Sequence, residues 1–300
     1  MSPQTLFLTG ATGFVGRQVV TRLDSARFPV VRCLVRPGAA SAAQDWSRPG
    51  LDIIPGTLED PASYAVALAD ADVVLHLAAI TGRASPRTYR RINVDGTRHL
   101  LATGRARFVF VSSIAAAFSH TRAYHYAQSK REAEALVRAS GRNHVVVRPT
   151  MVFGPGSPVV EKLSRLASSR VVFGTGRVLV QPIDVGDLAD LLVTLAATDR
   201  LPDDVVEAGG PDVIALDALL AEMRRSAGAA AATFVHLPAR PIIEALALLE
   251  GLGLRCAPLH AGQLASFVND STADPAKRPG KLPERLKSLE AMLRRRVRDA

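Results

Sequence analysis

The sequence is poor in cysteine and in aromatic residues, with 2 cysteines and 5% Phe, Trp and Tyr among its 300 residues. Cys33 and Cys256 imply neither a disulfide framework nor a cysteine metal site, and we expect no metal. No apolar run approaches the ~20 residues that span a bilayer. No basic region followed by an apolar run marks a secretory signal. These absences predict a cytoplasmic protein with no integral membrane segment.

Apolar residues make up 48% of the chain, and the formal net charge is +9. The charge is uneven, because the segment from Ser271 to the end holds nine Lys/Arg and four Asp/Glu. No aromatic residues alternate with these charges, so we expect a solvated C-terminal helix and no nucleic-acid partner. An apolar stripe along this helix should dock it on the body of the protein; it comprises Leu286, Leu289, Leu293 and Val297.

One stretch near the start of the chain combines a short apolar run with evenly spaced glycines. Leu6–Leu8 has the pattern of a buried parallel strand, and Phe14–Leu23 that of an amphipathic helix. Gly10, Gly13 and Gly16 recur every third residue around the turn. Such glycines allow a sharp turn, a close approach of the backbone to a pyrophosphate, and tight packing of helix on strand. This context predicts a dinucleotide site at the start of the helix.

The second predicted strand, Phe28–Val35, ends in a turn signal that begins with Arg36. Arg36 lies 20 residues beyond Gly16. At this point of a dinucleotide-binding fold an acid binds the ribose hydroxyls of NAD, whereas an arginine accommodates the 2′-phosphate of NADP. No acid ends this strand. Arg36, helped by Arg32 or Arg17, therefore predicts NADP(H) as the preferred cofactor, with NAD(H) as the alternative.

Strand and helix patterns alternate over the first half of the chain. Further strands are predicted at 51–54, 72–77, 108–111 and 144–147, and helices at 61–69, 85–101 and 124–138. This alternation is typical of an α/β fold with a doubly wound parallel sheet, the Rossmann architecture. The pattern loosens near Gly156. We expect a dinucleotide-binding domain over 1–155, and over 156–300 a smaller mixed α/β substrate lobe interleaved with the last sheet elements and the basic C-terminal helix.

Two other features favour structural interpretations. His76 lies inside a predicted strand, so we interpret it as packed in the fold and not as catalytic. Ile242–Leu254 is strongly apolar but too short to span a membrane. We predict a core or lobe-packing helix there, with an apolar wall of the substrate pocket as the alternative.

Eight motifs occur in one order along the chain. They are Thr9-Gly-Ala-Thr-Gly-Phe-Val-Gly16, His76-Leu-Ala-Ala79, Asn93-Val-Asp-Gly-Thr97, Val111-Ser-Ser113, Tyr126-Ala-Gln-Ser-Lys130, Arg148-Pro-Thr-Met-Val-Phe-Gly-Pro155, Gln181-Pro-Ile-Asp-Val-Gly-Asp187 and Glu207-Ala-Gly-Gly-Pro211. With them the sequence resembles the extended and atypical branches of the short-chain dehydrogenase/reductase superfamily, which include NAD-dependent epimerases and dehydratases. The first six motifs cover roughly the first half of the chain.

The resemblance implies roles for three residues. Tyr126 matches the catalytic acid/base, Lys130 the residue that holds the nicotinamide ribose and lowers the tyrosine pKa, and Ser113 the residue that hydrogen-bonds the substrate oxygen. Tyr126 and Lys130 share a helical face, and a nearby ammonium favours the phenolate. Both also match cofactor-binding positions, together with Gly10, Thr12, Gly13, Phe14, Val15, Gly16, Arg36, Leu58, Leu77, Ala78, Ala79, Pro149 and Val152.

Three positions depart from the sugar-nucleotide epimerases of the extended branch. The arginine that pairs with the substrate diphosphate falls at Val180 here, and Arg177 is shifted by three residues. The usual acid before Leu58 is Thr57, and the histidine of a later family motif is Asp184. These departures weaken the prediction of a sugar-nucleotide enzyme.

The segment His260–Asp270 resembles the atypical group related to an accessory subunit of respiratory complex I, whose members can bind NADPH without turnover. We expect an NADP(H)-dependent oxidoreductase that transfers hydride to or from a carbonyl or alcohol of a small, partly apolar substrate, with Tyr126 as acid/base. A sugar-nucleotide epimerase or dehydratase and a non-catalytic NADPH-binding assembly protein are the alternatives. The expected partner is a small-molecule substrate, and the sequence is compatible with a homodimer.

Overall fold

The computed structural model describes residues 2–43, 46, 48–122, 124–252, 261–280 and 285–298. The strands are β1 (Thr5–Thr9), β2 (Val30–Val35), β3 (Leu51–Pro55), β4 (Val73–His76), β5 (Arg107–Val111), β6 (His144–Pro149), β7 (Val152–Phe153), β8 (Val171–Phe173), β9 (Leu179–Val180), β10 (Ile183–Asp184), β11 (Asp204–Ala208), β12 (Ile214–Ala215) and β13 (Val235–Leu237). The α-helices are α1 (Phe14–Val20), α2 (Ala65–Ala69), α3 (Pro86–Tyr89), α4 (Gly96–Ala102), α5 (His125–Arg138), α6 (Pro158–Ser169), α7 (Val185–Ala197), α8 (Leu216–Ser226), α9 (Ala239–Gly251) and α10 (Leu289–Arg298).

Within these residues, seven parallel strands form a central sheet in the order β11-β6-β5-β4-β1-β2-β3. The strand order reverses between β1 and β4, because the chain first winds outward through β2 and β3 and then returns to continue through β4. A ligand crevice forms at the carboxyl ends of the strands at such a reversal. The predicted α/β fold with a doubly wound parallel sheet is confirmed.

The sheet is covered on both faces, which explains why its strands are continuously apolar. Leu6 and Leu8 pack on one face in a cluster that includes residues of α1 and α7. Phe7 points to the opposite face and packs with Tyr64 and Phe108. This alternation follows the two-residue period of a strand. The rigid sheet therefore holds the loops at its carboxyl edge in fixed positions.

Residues beyond 156 contribute most of a third apolar cluster, and they also supply one strand, β11, to the central sheet. The cluster joins α6, α8 and α10, with Val180, Leu219 and Leu293 buried inside it. Strand β9 pairs with β12, and β8 pairs with β13. We refer to this part of the chain as the lobe. The division into domains at residue 155 stays a prediction.

Several predicted helices differ from those observed in length or type. The first helix ends at Val20, and the helix predicted over 85–101 is divided into α3, a π-helical turn at Arg90–Asp95, and α4. Helix α9 packs on a 3₁₀ helix, Ala261–Phe267, through Ala239 and Ile243, which agrees with a lobe-packing helix, whereas Leu248 and Leu252 are exposed. The remainder of that segment, residues 253 and 254, lies outside the described residues, as do Cys256 and His260.

The C-terminal helix docks through an apolar stripe. Leu289 and Leu293 are buried as predicted, and Met292 is buried between them. Leu286 is half-buried, whereas the side chain of Val297 lies outside the described part of the chain. Across the ranges that the structure describes, no helix has both the length and the apolar character needed to cross a bilayer.

Candidate active site

The glycine-rich turn lies at the carboxyl end of β1, directly beside the end of β4. Gly10 has a φ of +76°, a left-handed conformation, and a Cβ placed there would lie 2.7 Å from the backbone nitrogen of Ala78. A Cβ on Gly16 would overlap the carbonyl oxygen of Gly10, so helix α1 packs tightly on the turn. Only glycine fits both positions without displacing backbone. The resulting cradle fits a dinucleotide, whose pyrophosphate needs close backbone approach.

Gly13 forms the N-terminal boundary of α1 and is exposed. Its N–H donates to the carbonyl of Gly10 at 3.0 Å, and its own carbonyl accepts from the N–H of Arg17 at 3.0 Å. Thr12, Phe14 and Val15, which flank Gly13, are half-buried along the same turn. The predicted cofactor residues of this motif are therefore contiguous around the cradle.

Arg36 follows β2 and is exposed, as is Arg17 on α1. The described residues provide no carboxylate partner for either guanidinium, and Arg17 Nε donates to the carbonyl of Thr12 at 3.1 Å. Arg32 differs, because its guanidinium pairs with Asp70, with one of the two contacts at 3.2 Å, and donates to the carbonyl of Ala67 at 2.8 Å. Of the two arginines expected to help Arg36, Arg32 is thus already held in an ion pair, whereas Arg17 has no carboxylate partner among the described residues.

The other predicted cofactor residues lie at the same edge of the sheet. Leu77, Ala78 and Ala79 follow β4 directly, and the backbone N–H of Ala78 donates to the Thr9 hydroxyl at 3.2 Å. Leu58 is buried after β3, and its carbonyl contacts His99 Nδ1 at 3.1 Å. At the far side, Pro149 ends β6 and Val152 begins β7. The parallel topology thus brings together residues that are more than 100 positions apart in sequence.

Ser113, Tyr126 and Lys130 converge where β5 meets α5. Ser113 follows β5, and its hydroxyl accepts from the N–H of Ala115 at 3.2 Å; its side chain also acts on the pKa of the Tyr126 phenol. Lys130 lies one helical turn beyond Tyr126, and its ammonium donates to the carbonyl of Val111 at 2.7 Å. The Lys130 Nζ also lies 4.4 Å from the centre of the Phe110 ring. A hydroxyl, a phenol and a buried amine therefore share one site.

Burial controls the protonation of the phenol and the amine. It raises the pKa of Tyr126 to about 12, with Tyr89 adding to the rise and the Ser113 hydrogen bond opposing it. It lowers the pKa of Lys130 to about 7, and the charge of Glu134 opposes that shift. The predicted lowering of the tyrosine pKa by Lys130 is therefore wrong for this arrangement. The reason is that the ammonium is bonded to Val111 and desolvation of the phenol dominates.

Aromatic rings surround the Tyr126 phenol. The ring centres of Tyr124 and Tyr89 lie 5.9 and 6.2 Å from that of Tyr126, and Phe118 stacks on Tyr124 at 6.5 Å. Ile114 packs in the same apolar cluster. A carbonyl compound with an apolar substituent fits this environment better than a charged one.

Below the site lies a buried ionic network that sequence reasoning missed. Glu134 is fully buried; it accepts from the Ser112 hydroxyl at 2.6 Å and from two nitrogens of Arg148 at 2.8 and 2.6 Å. Arg148 also donates to Glu207 at 3.1 Å, and Lys277 contacts the same Glu207 oxygen at 3.5 Å. The sequence signal was present, because Glu134 lies four residues beyond Lys130 on the same helical face.

A second buried network joins the glycine-rich edge to α5. His76 contacts the Thr9 hydroxyl at 2.7 Å and the Thr97 hydroxyl at 3.0 Å. The side chain of Asn93, in the π-helical turn, donates to the Ser129 hydroxyl at 3.0 Å. Burial, with a smaller contribution from Lys130, lowers the pKa of His76 to about 3. The interpretation of His76 as a packed residue agrees with this neutral, fully bonded ring.

The positions that depart from the epimerase pattern have structural explanations. Val180 is completely buried in the lobe cluster, and Arg177 is exposed. The carboxylate of Asp184 accepts from the N–H of Gly186 at 2.8 Å at the start of α7, and Lys287 donates to it at 2.7 Å. In the described segments, no group of three His, Cys, Asp or Glu side chains is arranged to hold a metal ion.

Residues 10–198 match the sequence model of the family described as NAD(P)H-binding. A ceramide reductase from Caulobacter vibrioides is 33% identical over 201 residues, which cover 65% of this chain and 61% of that protein. A UDP-glucose 4-epimerase from Vibrio cholerae is 31% identical over 223 residues, covering 64% of this chain and 66% of that protein. The chain thus spans just under two thirds of the length of both relatives.

The fold is shared with a solved UDP-N-acetylglucosamine 4-epimerase from Methanobrevibacter ruminantium M1. The two structures superpose with a TM-score of 0.69 at 20% sequence identity, and the match covers 100% of this chain and 98% of the other. At this identity the likeness concerns the fold alone.

Proposed function

The chain belongs to the NAD(P)H-binding family, and from this premise we propose that it is an NADP(H)-dependent oxidoreductase of the short-chain dehydrogenase/reductase type. Its reaction is hydride transfer to or from a carbonyl or alcohol of a small, partly apolar substrate. The observation that carries the proposal is the convergence of Ser113, Tyr126 and Lys130 at the same sheet edge as the glycine cradle.

A nicotinamide cofactor, when bound, supplies or accepts the hydride. Tyr126 gives its phenolic proton to the carbonyl oxygen as that oxygen gains charge, or takes it back in the reverse direction. Ser113, whose side chain lies beside the phenol, donates to the same oxygen and stabilises the developing charge. Lys130 uses one of its three N–H groups on Val111 and keeps two for the nicotinamide ribose and the proton path.

The preference for NADP(H) is proposed from Arg36 and Arg17. Both guanidinium groups are exposed at the edge of the sheet beside the glycine turn, and no acid follows β2. A guanidinium binds a phosphate with two parallel hydrogen bonds, which favours the 2′-phosphate of NADP(H).

An apolar substrate is supported by the aromatic rings around Tyr126 and by the burial of Val180. In the lobe, which we propose binds the substrate, the position of the diphosphate-pairing arginine holds an aliphatic side chain that faces the interior. That one relative is named a ceramide reductase agrees with a carbonyl reductase for this chain.

A sugar-nucleotide epimerase or dehydratase is the second candidate, because a relative of similar identity is a UDP-glucose 4-epimerase. The two candidates differ in cofactor balance. A reductase consumes NADPH, whereas an epimerase returns the hydride to its substrate and leaves the cofactor unchanged.

The test is to incubate the purified protein with NADPH and a panel of ketones, aldehydes and sugar nucleotides, following absorbance and products together. Net NADPH oxidation that is lost in Tyr126→Phe supports the oxidoreductase. Conversion of a sugar nucleotide without net oxidation supports the epimerase or dehydratase. Tight NADPH binding without turnover on the whole panel would contradict both and favour a non-catalytic assembly protein.

A further inference from the structure

The loop between Ser113 and Tyr126 is held by side chains of α5 along most of its described length. Arg131 donates to the carbonyls of Ala116 and Phe118 at 2.9 and 2.8 Å, and Gln128 donates to the carbonyl of Thr121 at 3.0 Å. We call residues 114–122 the active-site loop. None of these contacts with α5 involves the backbone N–H or carbonyl of His120, which lies between Phe118 and Thr121 in the loop.

The partner of the His120 backbone comes from the lobe. The side-chain oxygen of Asn269 accepts from the N–H of His120 at 3.0 Å, and its nitrogen donates to the carbonyl of His120 at 2.9 Å. The second hydrogen of the amide goes to the carbonyl of Ala265 at 2.8 Å. Asn269 is buried. Its three contacts need one acceptor oxygen and one nitrogen with two N–H donors, and only a carboxamide side chain carries both. The tip of the active-site loop is therefore clamped by one residue that lies 149 positions away.

Asn269 is itself fixed to the lobe through its neighbours. The Phe267 ring meets the Phe173 ring edge-on at 5.8 Å, and a Cβ on Gly174 would lie 2.6 Å from the Phe267 carbonyl oxygen. Asp270 accepts from the N–H of Leu179 at 2.8 Å. The clamp thus joins β8 and β9 of the lobe to the loop beside the proposed catalytic groups.

The loop determines the apolar surroundings of the phenol. Phe118 belongs to the loop and stacks on Tyr124, whose ring in turn contacts Tyr126. Only one residue separates Phe118 from His120, so Phe118 is held between the Arg131 contact to its own carbonyl and the Asn269 contact at His120. The contact from the lobe therefore lies next to the aromatic residue that lines the proposed substrate site.

We propose that Asn269 is a positioning residue that couples the lobe to the active-site loop and thereby sets the affinity for apolar carbonyl substrates. The coupling follows from the contacts above, and its effect on substrate affinity rests on the proposed function. Asn269 touches neither the phenol nor the amine in the structure, so its influence passes through His120 and Phe118.

The first experiment is hydrogen–deuterium exchange on the full chain with Asn269→Ala and Asn269→Asp. The aspartate keeps an oxygen for the His120 N–H but lacks both amide hydrogens. Exchange in the active-site loop is expected to accelerate at least ~10-fold in both variants, because the alanine loses both contacts with His120 and the aspartate sets a buried carboxylate against the carbonyls of His120 and Ala265. Unchanged exchange in the loop of both variants would overturn the proposal.

Asn143→Ala is the matched control. The Asn143 amide makes the same kind of two-point contact with the backbone of Leu201, at 2.8 and 2.9 Å, but next to the start of β6, at the opposite edge of the sheet. It should destabilise the protein to a similar extent without changing exchange in the active-site loop. Equal acceleration in both alanine variants would mean general loosening and would refute a specific coupling.

The second experiment measures NADPH oxidation with 9,10-phenanthrenequinone as an apolar carbonyl probe. Asn269→Ala is expected to raise KM at least ~5-fold, with kcat and the NADPH Kd changed less than ~3-fold, because only the wall of the substrate site moves. A wild-type KM in this variant would contradict the substrate role. If the wild-type protein oxidises no NADPH with any carbonyl, the proposed function fails, and the exchange result alone decides the coupling.

Discussion

The ammonium of Lys130 donates to the carbonyl oxygen of Val111 at 2.7 Å, which ties α5 to the carboxyl end of β5. This contact explains why Lys130 can be almost fully buried: one N–H is satisfied by backbone, and the Phe110 ring lies 4.4 Å away. It also fixes the distance of the amine from Ser113, two residues beyond Val111. The end of β5 and helix α5 therefore position the groups of the proposed site together.

Replacing Tyr126 with Phe should remove the transferable proton and keep the ring packing. Turnover is expected to fall at least ~100-fold, the lower end for loss of a general acid, with NADPH affinity little changed. Tyr124→Phe is the matched control, because it removes the phenol of a neighbouring ring at 5.9 Å. Similar turnover in the two variants, measured by NADPH absorbance, would show that Tyr126 is not the acid/base.

Replacing Arg36 with Ala should weaken NADPH binding by about tenfold, the effect of losing a charge-assisted contact worth about 1.4 kcal/mol, and should leave NADH binding unchanged. Fluorescence titration of both cofactors measures the effect. Arg32→Ala serves as the control, since Arg32 is paired with Asp70 and should not alter the cofactor preference. Equal affinities of the wild-type protein for NADPH and NADH would contradict the predicted selectivity.

The charge of Lys130 should make cofactor binding depend on pH. Because burial lowers its pKa to about 7, the amine is mostly cationic below that value and mostly neutral above it. NADPH affinity of the wild-type protein relative to Lys130→Met is expected to fall by up to about tenfold between about pH 6 and about pH 8, following the protonated fraction. Titration of the cofactor phosphate affects both proteins equally and cancels in the ratio. A ratio that stays constant across this range would argue against a cationic contact.

Replacing Lys287 with Ala should destabilise the protein without affecting NADPH binding. Its ammonium lies 2.7 Å from both Asp184 and Asp187, whose carboxylates are buried and would lose their nearest cation. Chemical denaturation is expected to show a loss of about 1–3 kcal/mol in the free energy of unfolding.

Arg294→Ala, which breaks an exposed pair with Glu290, is the control for Lys287→Ala and should cost less than about 0.5 kcal/mol. Removal of the chain from residue 283 onward should likewise lower stability, because Leu289 and Leu293 are buried, but should preserve NADPH binding. Loss of NADPH binding in a truncated protein that remains folded would contradict the prediction.

The sequence predicted the glycine cradle well, because each requirement there is local. Gly10 must adopt a positive φ, and Gly16 must allow helix α1 to pack closely on the turn. A strand–turn–helix pattern with glycines at this spacing predicts both requirements. The helix face shared by Tyr126 and Lys130 was equally predictable from a spacing of four residues. In contrast, the pKa of Tyr126 was predicted in the wrong direction, since burial and the partner of Lys130 are set by packing.

By itself, the sequence determined the order of strands and helices over the first half of the chain and the doubly wound character of the sheet. These properties follow from short-range periodicity and from the rule that parallel strands end at one edge. Only the tertiary structure decided that Arg32 is paired with Asp70, that Glu134 lies beneath the site, and that Asn269 holds His120. Such contacts join residues far apart in the chain. They depend on how the folded elements pack against each other, and the periodic pattern of apolar residues in the sequence does not predict this packing.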